Sequence, residues 1–332
     1  MTMLYEKDFK FRLDKKPIIR FKNLVYDVDK DKVRNGIPLD FCSKSTNYDF
    51  YIPKQEELNE VNNFISRLMP KKNIREFLLK ILGSLLFPGN IDRIMLFFIG
   101  IGRNGKSALV NLLSFAMGEY ASKPNVSLFL GKSIDSSKAD PNLIHIDSTR
   151  VAICEEPDNR NVSITGVCKA ITGNVGFITG RDLYKSLTKV YANLVPIICS
   201  NNKLTIINLD KALVDRIIVI PFPKYMLDVN SKNEQVEEII WQGNNSEKYA
   251  MTFMYILMDA LRKYKKESLI IPNEVKKATK EFILKGDSVG RFIKDKLVES
   301  EGIEINIDIV WNKYKQWYKL NNKSRNRLSM TV

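Results

Sequence analysis

The sequence predicts an α/β fold: a phosphate-loop core on a parallel sheet, flanked by an N-terminal β/helical segment and a C-terminal helical segment. Three observations carry that class. An apolar run, Ile94 to Ile99, feeds a glycine-rich loop that opens a helix. Two further runs of buried character, Arg150 to Cys154 and Leu194 to Ser200, each end abruptly in polar residues. Near-continuous apolar runs are typical of parallel strands covered on both faces, with the chemistry at their carboxyl ends.

Composition sets the outer limits. A chain of 332 residues suggests about two domains. Its 44% hydrophobic and 27% charged content is that of a globular protein and far from disorder. No apolar run approaches the roughly 20 residues that cross a bilayer. The opening MTMLYEKDFKFRLDKK lacks the apolar stretch of a signal peptide. Membrane and secreted classes are thereby excluded, and a cytoplasmic location is expected. Cys42, Cys154, Cys168 and Cys199 show no C-x-x-C spacing, and His145 is the only histidine. A zinc ribbon and a histidine triad are excluded with them, and Cys154 and Cys199 are expected as buried reduced thiols. The net charge of +14 favours a polyanionic partner, nucleic acid before membrane.

Five segments follow in order. Residues 1–53 mix short β-prone runs with turns; Asp27, Asp29 and Asp31 alternate like calcium ligands, but the loop glycine and closing glutamate are missing, so a solvated turn is expected. Residues 54–89 are helical, a collar-like pair: Leu58, Val61, Phe64, Ile65 and Leu68 keep helical spacing, Pro70 ends that helix, and Ile74 to Leu86 forms the next. Residues 90–223 read as an α/β core of short β-rich runs ending in polar residues. Residues 224–285 are helical, with helices from Val236 to Tyr264 and from Asn273 to Leu284. Residues 286–332 form a basic end with a helix around Ile309 to Leu320.

The loop reads Gly100-Ile-Gly102-Arg103-Asn104-Gly105-Lys106-Ser107, a match to G-x-x-x-x-G-K-[ST] at every defined position. Glycines let backbone N–H groups close around phosphate oxygens, and the helix N-terminus adds its dipole. Lys106 is expected on the β- and γ-phosphates and the Ser107 hydroxyl on magnesium. Chance would produce the pattern in roughly one chain in a hundred of this length, and the flanking strand and helix make it about tenfold rarer. The run Arg150 to Cys154 supplies the acidic partner strand. Glu155 is assigned to the metal and Glu156 to polarising the attacking water. Asn201, just past the third run, is placed to hold that water. Arg216 precedes the strand Ile217 to Pro221 and is a candidate for phosphate contact on a neighbouring subunit.

Taken in order, FIGIGRNGKSALVNLL, VAICEEPDN, KAITGNVGFITGRDLYKS, IICSNNKLTI and DKALVDRIIVIPF resemble the superfamily 3 helicases, in particular the helicase half of poxvirus-type primase–helicases of large DNA viruses, phages and plasmids. RFKNLVYDV, ATKEFILKGDSVGRFI and IVWNKYKQWYKLN extend the resemblance outward, the last two toward a winged-helix-like end. The resemblance implies an AAA+-like ATPase that forms a hexameric ring and moves 3′ to 5′ on single-stranded or forked DNA, using ATP and Mg2+. It implies a sensor role for Asn201, an arginine finger at Arg216, and a DNA-contacting hairpin from Phe177 to Val190. The hairpin carries Arg181, Lys185 and Lys189, with its turn near Ser186 to Thr188. Contacts there would be to backbone phosphates and would weaken with salt.

Three positions depart from the family pattern. Thr172-Gly173 continues as Asn174-Val175-Gly176 without an acid, Leu204 stands where a proline is usual, and Asp215 replaces a first arginine. The primase half is expected to be absent, leaving a separate primase or replication protein as a possible partner. Two other classes stay open: a DNA-packaging or initiator-loading ATPase, and a non-catalytic scaffold that holds ATP while binding nucleic acid. At the basic end, Trp311, Tyr314 and Tyr318 at i, i+3, i+7 are expected to pack a helix, and the tail cations to contact DNA or a partner. Lys263, Lys265, Lys266, Lys276, Lys277 and Lys280 are expected on a solvated helical face.

Overall fold

The computed structural model describes residues 9–101, 104–131, 141–155, 157, 161–180, 188–200, 204–223, 246–298 and 300–321. After a 3-10 turn at Phe9–Arg12, three short strands form an antiparallel meander: β1 (Ile18–Arg20), β2 (Val25–Asp27) and β3 (Lys32–Arg34). The helices α1 (Gln55–Leu68) and α2 (Lys72–Ser84) follow. The backbone N–H of Lys54 donates to Glu57 Oε2 at 2.9 Å, closing the first turn of α1.

The core sheet has five parallel strands. They are β4 (Met95–Ile99), β5 (Ala121–Ser122), β6 (Val151–Glu155), β10 (Val195–Ser200) and β12 (Ile217–Pro221), in the spatial order β12-β4-β10-β6-β5. Strand alternation sends Leu96, Phe98, Ile153 and Ile197 into one hydrophobic core, and Met95, Phe97, Cys154 and Ile198 into the other. Two covered faces explain why these strands are apolar throughout. The first core is shared with α1, α2, the loop helix α3 (Lys106–Met117) and α7 (Ser246–Lys266). The second holds α4 (Pro141–His145), α5 (Gly166–Thr172) and Phe282 of α8 (Asn273–Gly286). Between α4 and β10 lie β7 (Asn161–Val162) and an antiparallel hairpin of β8 (Phe177–Gly180) and β9 (Thr188–Tyr191). The short β11 (Thr205–Ile206) pairs with β7, and α6 (Lys211–Val214) leads into β12.

Gly83 marks the close approach of α2 to α7. A Cβ there would sit 2.8 Å from the Leu261 nitrogen and 2.9 Å from the Leu257 carbonyl oxygen, both backbone atoms that cannot turn aside. Alanine would gain about 1 kcal/mol in helix propensity. Overpacking costs about 1–3 kcal/mol. Gly83→Ala is therefore expected to destabilise on balance, seen as a lower urea midpoint; a raised midpoint would show that the helices part freely.

The C-terminal part is a small unit, α9 (Ser288–Lys296) and α10 (Ile307–Asn321), closed around Phe292, Tyr314 and Trp317. Tyr314 is buried as its spacing predicts, while Trp311 and Tyr318 are only partly covered and Trp317 takes the second inner position. Among the described residues this part contains no strand, so the wing of a winged-helix end is not among them. One surface expectation is corrected. Asp27 and Asp31 are not a bare solvated turn: Asp27 is buried, and Asp31 accepts from Tyr26 Oη at 2.9 Å and Arg262 Nε at 2.8 Å. All six lysines expected on a solvated helical face are exposed, and among them Lys265 also donates its ammonium to the carbonyls of Val28 and Asp29. No helix among the described residues is long and apolar enough to cross a membrane.

Candidate active site

The glycine-rich loop leaves β4 at the carboxyl edge of the sheet. Gly100 donates its N–H to the Ser200 carbonyl on β10 at 3.3 Å, and Phe222 donates to the Ile99 carbonyl at 2.8 Å. The loop entry is thus clamped between the two neighbouring strands. A Cβ on Gly100 would collide with Asn104 Nδ2 and lie 2.8 Å from the Phe222 carbonyl oxygen, so the backbone there tolerates only glycine. Gly105, at φ 74°, turns the chain into α3 in the left-handed region.

Lys106 opens α3 and is buried, its ammonium folded back over the loop. Nζ donates to the Gly100 carbonyl at 2.8 Å and to Asn104 Oδ1 at 2.9 Å. Asn104 Nδ2 is buried without a hydrogen-bond partner among the described residues. Ser107, one residue into the helix, is exposed. A buried ammonium, an orphaned amide donor and the N–H groups of a twelve-residue helix make a cradle suited to a polyphosphate.

Glu155 ends β6, two strands from the loop and about 10 Å across the sheet. Its strand partner is Cys199, which in turn pairs with Phe98 on β4. Cys199 reports on what surrounds it: burial pushes its thiol up to about 12, Glu155 adds to the rise, and Lys106 and Lys123 oppose it. Carboxylate and ammonium thus act on one buried group. The hydroxyl of Ser107 and the carboxylate of Glu155 are oxygen ligands of the kind that a hard divalent cation takes beside phosphate. All four cysteines are free thiols, three of them buried.

Arg216 lies at the opposite, amino edge of the same sheet. Its carbonyl accepts from Met95 N at 2.8 Å, level with the start of β4, which leaves about 16 Å of strand before Gly100. Its Nη1 donates to the Lys169 carbonyl and to Thr172 Oγ1, both at 3.2 Å, at the carboxyl end of α5. Thr172, which no spacing argument singles out for this contact, therefore orients the guanidinium. Lys189 is exposed on β9, opposite Thr179. Thr188 pairs with Gly180 and belongs to β9, and the rest of the expected turn at Ser186 to Thr188 lies outside the described residues. Gly102, Arg103, Glu156, Arg181, Lys185 and Asn201 lie outside the described residues.

No family model matches the chain. A protein named "Putative helicase" from Acanthamoeba polyphaga mimivirus is 30% identical over 332 residues, covering 96% of this chain and 34% of its own length. One of the same name from Invertebrate iridescent virus 3 is 24% identical over 344 residues, covering 96% of this chain and 36% of its own length. A protein named "Putative primase" from African swine fever virus (isolate Warthog) is 22% identical over 283 residues, with 81% of this chain and 29% of its own length covered. Among solved structures, the apo NrS-1 C-terminal region superposes with a TM-score of 0.48 at 15% identity, covering 80% of this chain and 62% of that one. The chain spans about a third of the length of the viral relatives it matches. It is a homologue of proteins named as helicases in mimivirus and iridescent viruses and as primases in African swine fever virus.

Proposed function

We propose that the chain is the motor part of an ATP-dependent DNA helicase of the superfamily 3 type. In this reading an AAA+-like P-loop ATPase works as a hexameric ring and moves 3′ to 5′ on single-stranded DNA. The observation that carries it is the loop itself: a buried Lys106 ammonium held over Gly100 and Asn104 at the mouth of a helix, with Glu155 on the same sheet edge. Lys106 neutralises the β- and γ-phosphates, and the loop N–H groups hold them in place. Ser107 and Glu155 would hold magnesium, which would supply further charge neutralisation there. Glu156 orients and deprotonates the attacking water, and Asn201 fixes its position. Arg216 serves the site of the neighbouring subunit, and Arg181, Lys185 and Lys189 meet DNA phosphates.

The test is magnesium-dependent ATP hydrolysis with and without single-stranded DNA, beside Lys106→Ala. Stimulation by single strands is expected, with hydrolysis abolished in the variant. Hydrolysis indifferent to single strands would favour a packaging or loading motor. A folded, assembled protein without hydrolysis would favour the ATP-holding scaffold.

A further inference from the structure

The base of the β8–β9 hairpin carries a group of side chains that the phosphate chemistry does not use. Phe177 opens β8 and Tyr191 closes β9, directly opposite each other, with ring centroids 5.5 Å apart. The 3-10 turn at Phe9–Arg12 delivers Phe11 onto the other side of Phe177, edge to face at 5.9 Å. Phe177 and Phe11 remain 42% and 39% exposed. Two ammonium groups accompany the rings: Lys15 Nζ lies 2.8 Å from the Tyr191 centroid, and Lys189 Nζ lies 5.9 Å from that of Phe11. Together they border an open cleft of about 320 Å³, with Lys44 on its wall.

Of these three rings from two distant segments, Phe177 and Phe11 stay exposed while Tyr191 is partly covered, and clustered exposed apolar area of this kind marks an interaction site. Hydrogen bonding does not explain the exposure of Phe177 and Phe11, since phenylalanine has no polar group. The two carboxylates on the cleft wall are held by backbone N–H groups of the same wall. Asp14 accepts from the backbone of Ser43 and Lys44, and Asp147 accepts from Tyr191 N at 2.9 Å. Burial draws Lys15 down to about 8 against the pull of Asp147 and Asp14, so its ammonium has lost more hydration than those acids return. Exposed apolar faces beside the ammonium groups of Lys15 and Lys189 match a base joined to a phosphate, the unit that single-strand platforms stack and neutralise.

We propose that this cleft is a base-stacking subsite for single-stranded nucleic acid, with a base against Phe177 and Phe11 and the adjoining phosphates on Lys15, Lys189 and Lys44. The subsite is built by the N-terminal turn together with the hairpin base, and it rests on the reading of the chain as a single-strand motor. It lies beyond the start of β10, at the opposite edge of the sheet from the phosphate loop, so occupancy of the two sites is read separately.

The measurement is fluorescence anisotropy of a labelled oligothymidylate, with oligouridylate and free thymidine monophosphate as further arms. Phe177→Ala is expected to weaken oligonucleotide binding by about fivefold to a hundredfold, and Phe177→Trp to retain it. Lys15→Gln should weaken binding and flatten the dependence of log affinity on log salt; it also serves as the second variant if Phe177→Ala misfolds. Equal loss on the DNA and RNA arms marks a subsite blind to the sugar, and loss on one arm alone names its strand. Competition by the free monophosphate at equal concentration would overturn a strand site in favour of a nucleotide pocket. Wild-type affinity in both variants would overturn the cleft alone. Failure of the wild-type protein to bind any oligonucleotide would overturn the single-strand motor with it.

Discussion

Arg216→Ala is expected to lower ATP hydrolysis by about a thousandfold to a hundred-thousandfold while leaving ATP binding intact, if the guanidinium acts as a finger on a neighbouring subunit. The geometry makes the prediction sharp. Arg216 sits at the amino edge of the sheet and the loop at the carboxyl edge, with the length of β12 between them. An arginine side chain does not extend that far, so no rearrangement short of unfolding brings Arg216 to its own Lys106. Its anchoring to Lys169 and Thr172 also means that the guanidinium is positioned before any neighbour arrives. Mixing separates a trans role from a structural one. Lys106→Ala and Arg216→Ala subunits are each expected to be inactive alone. Co-assembled, they form some interfaces with an intact Lys106 on one side and an intact Arg216 on the other, and a measurable fraction of activity should return. Loss of ATP binding in Arg216→Ala, or a mixture as inactive as its parts, would remove the finger assignment.

The same contacts connect this arginine to the hairpin. Thr172 ends α5, and five residues later the chain enters β8 at Phe177. A single short helix therefore carries the arginine's anchor at its end and leads straight into the strand pair proposed to hold nucleic acid.

What was legible in the sequence was whatever depends on local order. The loop could be identified because its geometry demands glycines and a lysine at fixed spacing. The strand before it could be identified because burial on both faces forces an unbroken apolar run, as in Met95 to Ile99. The helices α1 and α8 followed from their spacing. Strand β5 was not legible: Ala121–Ser122 has too few residues to show any period and is a strand because β6 lies beside it. Nor was the hairpin cleft, since Phe11 and Lys15 are over 160 positions from Phe177 and look like an ordinary basic amphiphilic start. The carbonyl partners of Lys265 were not legible for the same reason, because they lie on a different element. In each case the deciding interaction is tertiary, and composition within a window does not contain it.

Arg150 gives the second large effect, in stability. It looks like the polar start of strand β6, yet it is 2% exposed and its guanidinium is enclosed by three parts of the chain. Nη1 donates to the Leu86 carbonyl after α2, Nη2 donates to the carbonyls of Ile18 at 2.6 Å and Lys16 at 3.4 Å, and the group lies 4.7 Å from the Tyr120 ring. Burial draws its pKa below the usual arginine value, with Tyr120, Cys42 and Asp14 opposing. An ion pair can be replaced by two apolar residues at little cost, but these acceptors are backbone and remain whatever stands at position 150. Arg150→Met would leave buried carbonyls without their donor, at about 1–3 kcal/mol each. The Lys16 oxygen keeps its bond from Ile18 N, so the loss falls chiefly on Leu86 and Ile18. A destabilisation of roughly 3–5 kcal/mol is expected, a large share of the 5–15 kcal/mol that a domain commonly holds. Arg150→Lys should recover only part of it, because one ammonium cannot reproduce the guanidinium fork. Urea unfolding gives the magnitude, and hydrogen exchange gives the location. Amides of the β1–β2 meander should lose protection first, since the guanidinium joins them to α2 and the sheet. Uniform loss of protection, or a midpoint within experimental error of wild type, would show that the meander is held by its apolar contacts alone, through Ile19, Tyr26 and Val28 in the shared core.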